Sequence, residues 1–166
     1  IVGFLKMGAH VSIACPKAYQ PDAQVLSFTE QYPGKFVMTE SPEEAAKDAD
    51  VIFTDVWASM GQEEEKSVRE KAFRGYQINA ELLAKAHLGC MVQHCLPAHR
   101  GEEITADVFE SHADQIFDEA ENRLHAQKAV MYLLMKDQSW LLLWRTRKTG
   151  KQHAVFAPIE KWRKRA

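Results

Sequence analysis

The sequence predicts an α/β protein: a mostly parallel sheet with helices on both faces, in three layers. Three observations predict it. Short apolar runs at 11–15, 35–39, 51–54, 91–94 and 115–118 alternate with segments of helical pattern. The runs Val51-Ile52-Phe53-Thr54 and Met91-Val92 are almost wholly apolar rather than alternating, as strands covered on both faces are. Polar residues with chemical potential gather just after three of the runs, at the carboxyl ends where open α/β sheets bind ligands. Crossovers between such strands are right-handed.

In chain order, Ile1 to Gly8 reads as the back half of a helix closed by a glycine C-cap. Val11 to Cys15 is a strand stopped by Pro16, and residues 22–32 form a helix ended by Pro33-Gly34. Lys35 to Thr39 is the second strand. Ser41-Pro42-Glu43-Glu44 is a strong helix start, with a serine cap, proline at the first position and glutamate three after the cap; that helix runs to about Ala49. Val51 to Thr54 is the third strand, ending on Asp55. Residues 62–73 make a charged helix with Glu and Lys three and four apart. Asn79 caps a helix over Ala80 to His87. Met91 to His94 is the fourth strand, Thr105 to Ser111 a short helix, and Gln115 to Asp118 a fifth strand. A longer helix covers Ala120 to Met135, with Leu124, Ala129, Val130, Leu133 and Leu134 on its apolar side. The tail, 137–166, is basic and aromatic and yields no assigned element.

With 166 residues the chain is long enough for one domain with a real core, and 46% apolar with 27% charged residues is ordinary for a globular protein. A net charge of −2 gives no general attraction to nucleic acid or anionic membrane. Basic residues cluster at Arg145, Arg147, Lys148, Lys151, Lys161, Arg163, Lys164 and Arg165; RNA binding by this tail is the minor reading and a solvated tail the plainer one. Three cysteines, Cys15, Cys90 and Cys95, with no CxxC spacing, argue against a disulfide framework or a zinc site and for a reducing compartment. No metal is expected. No run approaches the roughly 18 apolar residues of a membrane span, and Ile1 to Leu5 lacks the basic leader and cleavage site of a signal peptide. The chain opens without Met, and a piece of something longer is expected.

The most informative stretch is Met91-Val92-Gln93-His94-Cys95-Leu96-Pro97. Pro97 lacks an N–H and biases Leu96 toward extended backbone, so a buried strand opens into a stiff loop with a thiol at its lip. Cys95 there is a nucleophile, a hydrogen-bond partner, or a small packed hydrophobe. Asp55 at the end of the third strand suits an ammonium group, or caps the next turn. Ser59-Met60-Gly61 offers a hydroxyl, backbone N–H groups and a close-approaching glycine, or is an ordinary helix entry. An α-amino acid needs that pairing of ammonium acceptor and carboxylate donors. Arg123 opens a helix near Glu119 and Glu121; its guanidinium suits a phosphate or carbonyl oxygen, or pairs with those carboxylates. Trp57 reads as packing, and Glu63-Glu64-Glu65 as a solvated helix face.

Taken together, Asp55-Val56-Trp57-Ala58-Ser59-Met60-Gly61-Gln62-Glu63, His94-Cys95-Leu96-Pro97 and Glu119-Ala120-Glu121-Asn122-Arg123, in this order and spacing, resemble the carboxyl-terminal, ornithine-binding domain of the ornithine carbamoyltransferases, over about Ile1 to Met135. The resemblance implies a Rossmann-like domain, the second of two, and a cofactor-free reaction of carbamoyl phosphate with L-ornithine to give L-citrulline and phosphate. It implies that Asp55 and Ser59 hold the α-amino group and the Met60 backbone the α-carboxylate. Cys95 and the Leu96 carbonyl would sit by the reacting δ-amine and carbamoyl group, Cys95 orienting rather than bonding covalently, and Arg123 would bind carbamoyl phosphate. It further implies a homotrimer for the full-length family and a cytoplasmic location, or the mitochondrial matrix for a eukaryotic ornithine-cycle enzyme. The family's Ser-x-Arg-Thr-Arg phosphate motif and its first domain are not in this sequence, nor is the first strand, which would lie near the sheet's middle; an inactive chain with a gap or exposed edges in its sheet is expected. The alternatives are a non-catalytic binding or interaction fragment that keeps the fold, or a carbamoyltransferase for another amine.

Overall fold

The computed structural model describes residues 1–58, 61, 63–136, 143–145 and 152–154. The chain divides into two compact units, Ile1–Ala120 and Glu121–Ala166.

The first unit follows the expected alternation closely. Helix α1 (Val2–Lys6) ends before Gly8, whose φ of +87° is the left-handed conformation a glycine cap supplies. Strand β1 (Val11–Ala14) is followed by α2 (Ala23–Thr29), β2 (Phe36–Thr39), α3 (Pro42–Ala46) and β3 (Val51–Thr54). Next come a 3₁₀ turn at Glu63–Glu65, then α4 (Lys66–Ala72), α5 (Ala80–Leu83), β4 (Met91–His94) and α6 (Ala106–Ser111). The predicted caps operate as drawn. Ser41 Oγ accepts the Glu44 N–H at 3.2 Å, and Asn79 Oδ1 accepts the Leu82 N–H at 2.9 Å. Both capped helices are shorter than expected, because α3 gives out at Lys47 and α5 at Ala84.

The strands pair in parallel, β1 with β2 and β3 with β4, and Thr54 stands opposite His94. Parallel pairing of consecutive strands joined through helices makes this an α/β fold. Among the described residues no ladder joins the β1–β2 pair to the β3–β4 pair. The main core lies against β4: Val92, Ile104, Val108, Phe109 and Ile116 are buried together with Ala46, Ile78 and Leu82.

One expected strand is absent. Residues 115–118 belong to a single helix, α7 (Ala113–Met135), which crosses the boundary between the units. Ile116 is fully buried in the core and Phe117 is half exposed, its ring edge-on to Phe109 at 6.2 Å. Two adjacent apolar residues fit a strand or a helix equally, and packing decides. The helix also serves the strand that a fifth one would have paired. Gln115 Oε1 accepts the Val92 N–H at 3.1 Å. A side chain of α7 thus takes a backbone donor on the outer edge of β4.

In the second unit, Leu124, Val130, Leu133 and Leu134 of α7 are exposed. Leu143–Arg145 (β5) and Gln152–Ala154 (β6) pair antiparallel, with Trp144 opposite His153. The remaining tail, including Arg147, Lys148, Lys151, Lys161 and Arg163 to Arg165, lies outside the described residues. Among the described residues, no helix is long and apolar enough to cross a membrane.

Candidate functional site

Since β3 and β4 are parallel neighbours with Thr54 and His94 in register, their carboxyl ends open at the same edge. Asp55 and Cys95, each the next residue, therefore leave the sheet side by side, and both are exposed. Ligand-type atoms of Asp55, His94 and Cys95 all lie within 4.8 Å of one another. The Cys95 thiol and the Asp55 carboxylate are thus close neighbours at this edge. Partial burial pushes the Cys95 thiol above its ordinary value, and the neighbouring Asp55 carboxylate and the charge of Glu119 add to the rise. Asp55 is itself oriented, its Oδ1 accepting the Val56 N–H at 2.8 Å.

The loop after β4 is held by a buried residue whose part was not assigned from the sequence. Side chains two apart on a strand share a face, so His94 is carried inward with Val92, and both are inaccessible to solvent. A buried imidazole needs partners at both nitrogens. Nδ1 accepts the Leu96 N–H at 2.9 Å, and Nε2 lies 3.0 Å from Glu103 Oε1. The hydrogen assignment follows from this network: Nδ1 is the acceptor, so Nε2 carries the hydrogen and donates it to Glu103. The same Glu103 oxygen accepts the His99 N–H at 2.6 Å. Burial pushes the Glu103 carboxyl up, but the bonds from His94, His99 and its own backbone outweigh it and leave it below the usual range. The sequence signal was the polar residue at an inward position of an apolar strand, with an acid nine residues on.

Leu96, expected to be extended, instead has φ +56° and is joined to Pro97 by a cis peptide bond. A left-handed backbone at a non-glycine residue costs about 1–3 kcal/mol and is found where a site needs it. The clamp of His94 on the Leu96 N–H holds it there.

Glu119 approaches from α7. One carboxylate oxygen is buried with no hydrogen-bond partner. Burial raises its carboxyl above the usual range; the His94 N–H and imidazole pull the other way, and the Asp55 charge raises it further. Of the other expected residues, Ser59 and Met60 lie outside the described residues, while Gly61 holds φ +86°, a turn conformation that suits glycine. Trp57 packs, as read, stacking on Phe73 at 6.2 Å, and its carbonyl accepts a long 3.4 Å bond from Arg69. Arg123 is exposed on α7 in the second unit. Among the described residues two clusters have metal-type donors, Asp55–His94–Cys95 and His99–Glu102–Glu103. In the first both His94 nitrogens are committed, and in the second Glu102 is paired with Lys66 at 2.9 Å and Glu103 with His94. The arrangement suits hydrogen bonding to an amine or carbonyl better than metal binding.

Residues 1–134 match the family described as "Aspartate/ornithine carbamoyltransferase, Asp/Orn binding domain". Over 131 residues the chain is 55% identical to an ornithine carbamoyltransferase of Geobacter sulfurreducens, covering 78% of this chain and 43% of that protein. The crystal structure of an anabolic ornithine carbamoyltransferase from Campylobacter jejuni superposes with a TM-score of 0.72 at 38% identity, over 78% of this chain and 44% of the other. The ornithine carbamoyltransferase of Pyrococcus furiosus gives a TM-score of 0.71 at 50% identity, over 80% and 44%. The chain thus spans less than half the length of the relatives it matches.

Proposed function

The chain belongs to the aspartate/ornithine carbamoyltransferase family, and from that membership we propose that it supplies the ornithine-binding half of an enzyme converting carbamoyl phosphate and L-ornithine to L-citrulline and phosphate, in arginine metabolism. The single observation that supports this most is the meeting of Asp55 and Cys95 at one sheet edge, acid and thiol within reach of the same small ligand.

In this reading Asp55 and Ser59 hold the α-amino group of ornithine, and the backbone at Met60 helps hold its α-carboxylate. Cys95 and the Leu96 carbonyl sit by the δ-amine and the carbamoyl group. Arg123 binds carbamoyl phosphate. The amine attacks only when neutral, so holding its lone pair against the carbamoyl carbon is the main service of the site. Donors and cations then stabilise charge growing on the carbonyl oxygen and the leaving phosphate. A thiol that keeps its hydrogen orients rather than attacks. The phosphate-binding half of the site comes from another domain, and the full enzyme assembles as a homotrimer.

The test joins the chain to the amino-terminal domain of a relative and measures citrulline. Synthesis by the joined protein, with none by the chain alone, supports the proposal. A joined protein that folds, binds carbamoyl phosphate and makes no citrulline refutes it in favour of a binding fragment.

A further inference from the structure

We infer that Lys66 and Glu102 are a positioning pair, an ion pair that ties the loop after β3 to the loop after β4 and so sets the spacing between the two halves of the amino-acid site. The use of that spacing to choose the length of the amino acid rests on the preceding reading; the tie itself does not.

Lys66 Nζ lies 2.9 Å from Glu102 Oε1, across 36 residues of sequence. Each end of this tie is itself held. Glu102 stands on the loop that starts at Cys95. Its N–H donates to the His99 carbonyl at 3.0 Å, and its own carbonyl accepts from Gln77 Nε2 at 2.7 Å. The next residue, Glu103, is buried against His94. The Glu102 carboxylate is therefore a fixed post, with its second oxygen 3.5 Å from His99 Nδ1. Lys66 opens α4, directly after the loop that leaves β3. Arg69, on the first turn of the same helix, closes the base of that loop. It pairs with Glu65 at 3.0 Å, reaches the Trp57 carbonyl at 3.4 Å, and lies over the Tyr19 ring at 5.3 Å. One turn on, Phe73 packs against both Trp57 and Tyr19. Helix α4 thus grips the loop where it departs, at Trp57, and where it returns, at Glu65, and Lys66 carries this assembly to the Cys95 loop.

A part-exposed ion pair contributes little to overall stability, so the effect of this one is on placement. On the preceding reading, Asp55, Ser59 and Met60 grip the α-groups from the first loop, and Cys95 and Leu96 meet the far amine from the second. The distance between the loops then fixes how many methylenes separate the two amines. One methylene too many or too few is worth about 10–200-fold in selectivity.

The first arm of the test needs no substrate. Amide exchange is followed by mass spectrometry in the full 166-residue chain, as wild type, Lys66→Met, Glu102→Gln, and the exchanged pair Lys66→Glu with Glu102→Lys. Glu102→Gln is expected to quicken exchange over residues 56–66 about two- to fivefold, and Lys66→Met to do the same over residues 95–103. The exchanged pair should bring both back toward wild type, and β1 and β2 should exchange at the wild-type rate throughout. Changes confined to the mutated loop, changes spread evenly over β1 and β2, or an exchanged pair no better than the single variants overturn the tie. The second arm uses the joined two-domain protein. Lys66→Met should lower the preference for L-ornithine over L-lysine about tenfold, with the KM for carbamoyl phosphate unchanged. An unaltered preference in a variant whose loops have come apart overturns the role in length selection. A joined wild type that makes no citrulline is a failure of the preceding reading, and amide exchange then decides the tie by itself.

Discussion

Nε2 of His94 lies 3.0 Å from Oε1 of Glu103, and neither side chain meets solvent. The pair spans the loop that carries Cys95, Leu96 and Pro97, so it joins the stability of the domain to the shape of the site. Removing one member of a buried pair leaves the other uncompensated. Glu103→Ala leaves the buried Nε2–H of His94 without an acceptor and is expected to cost about 1–3 kcal/mol, read as a lowered urea midpoint. A loss under about 1 kcal/mol would show that the pair is not buried in solution.

The same carboxyl gives the acid limb of stability a definite sign. Its pKa is depressed in the folded chain, so its contribution is present above the unfolded value of about 4.3 and is lost as pH falls through the lower folded value. Glu103→Gln is therefore expected to flatten the stability curve below about pH 4.3. An E103Q acid limb as steep as that of wild type would contradict this.

Gln115 takes the Val92 N–H that a fifth strand would otherwise have bonded. Gln115→Ala strands a buried donor, at an expected cost of about 1–3 kcal/mol. Amide exchange should quicken at Val92 before it does at Met91, whose N–H bonds to Asp50 on the inner edge. Equal exchange at the two positions would mean that α7 does not cover this edge.

Ile116 and Phe117 separate the helix from the strand reading by their burial. Ile116→Ala should cost about 2–5 kcal/mol because the site lies in the main core. Phe117→Ala should cost about 1 kcal/mol, having a half-exposed ring with one edge contact to Phe109. Comparable losses in denaturant melts would refute the placement.

In the joined two-domain protein, Asp55→Asn should raise the KM for ornithine about tenfold or more, the worth of a charge-assisted hydrogen bond. The KM for carbamoyl phosphate should stay near its wild-type value. A change confined to carbamoyl phosphate would move Asp55 out of the amino-acid site.

Sequence by itself determined the α/β class, β3 and β4 at their observed bounds, the caps at Ser41 and Asn79, the glycine stop at Gly8, and the order of the three motifs. Each of these depends on residues within a few positions of one another: an apolar run, a side-chain oxygen three residues from an N–H, a spacing along the chain. Tertiary structure alone decided that residues 115–118 are helical, that Leu96 is left-handed, and that His94 closes the Cys95 loop on Glu103. Those outcomes turn on desolvation: a buried N–H, imidazole or carboxylate must find a partner wherever the fold supplies one. The partner of His94 stands nine residues along the chain, and the partner of the Val92 N–H is on α7.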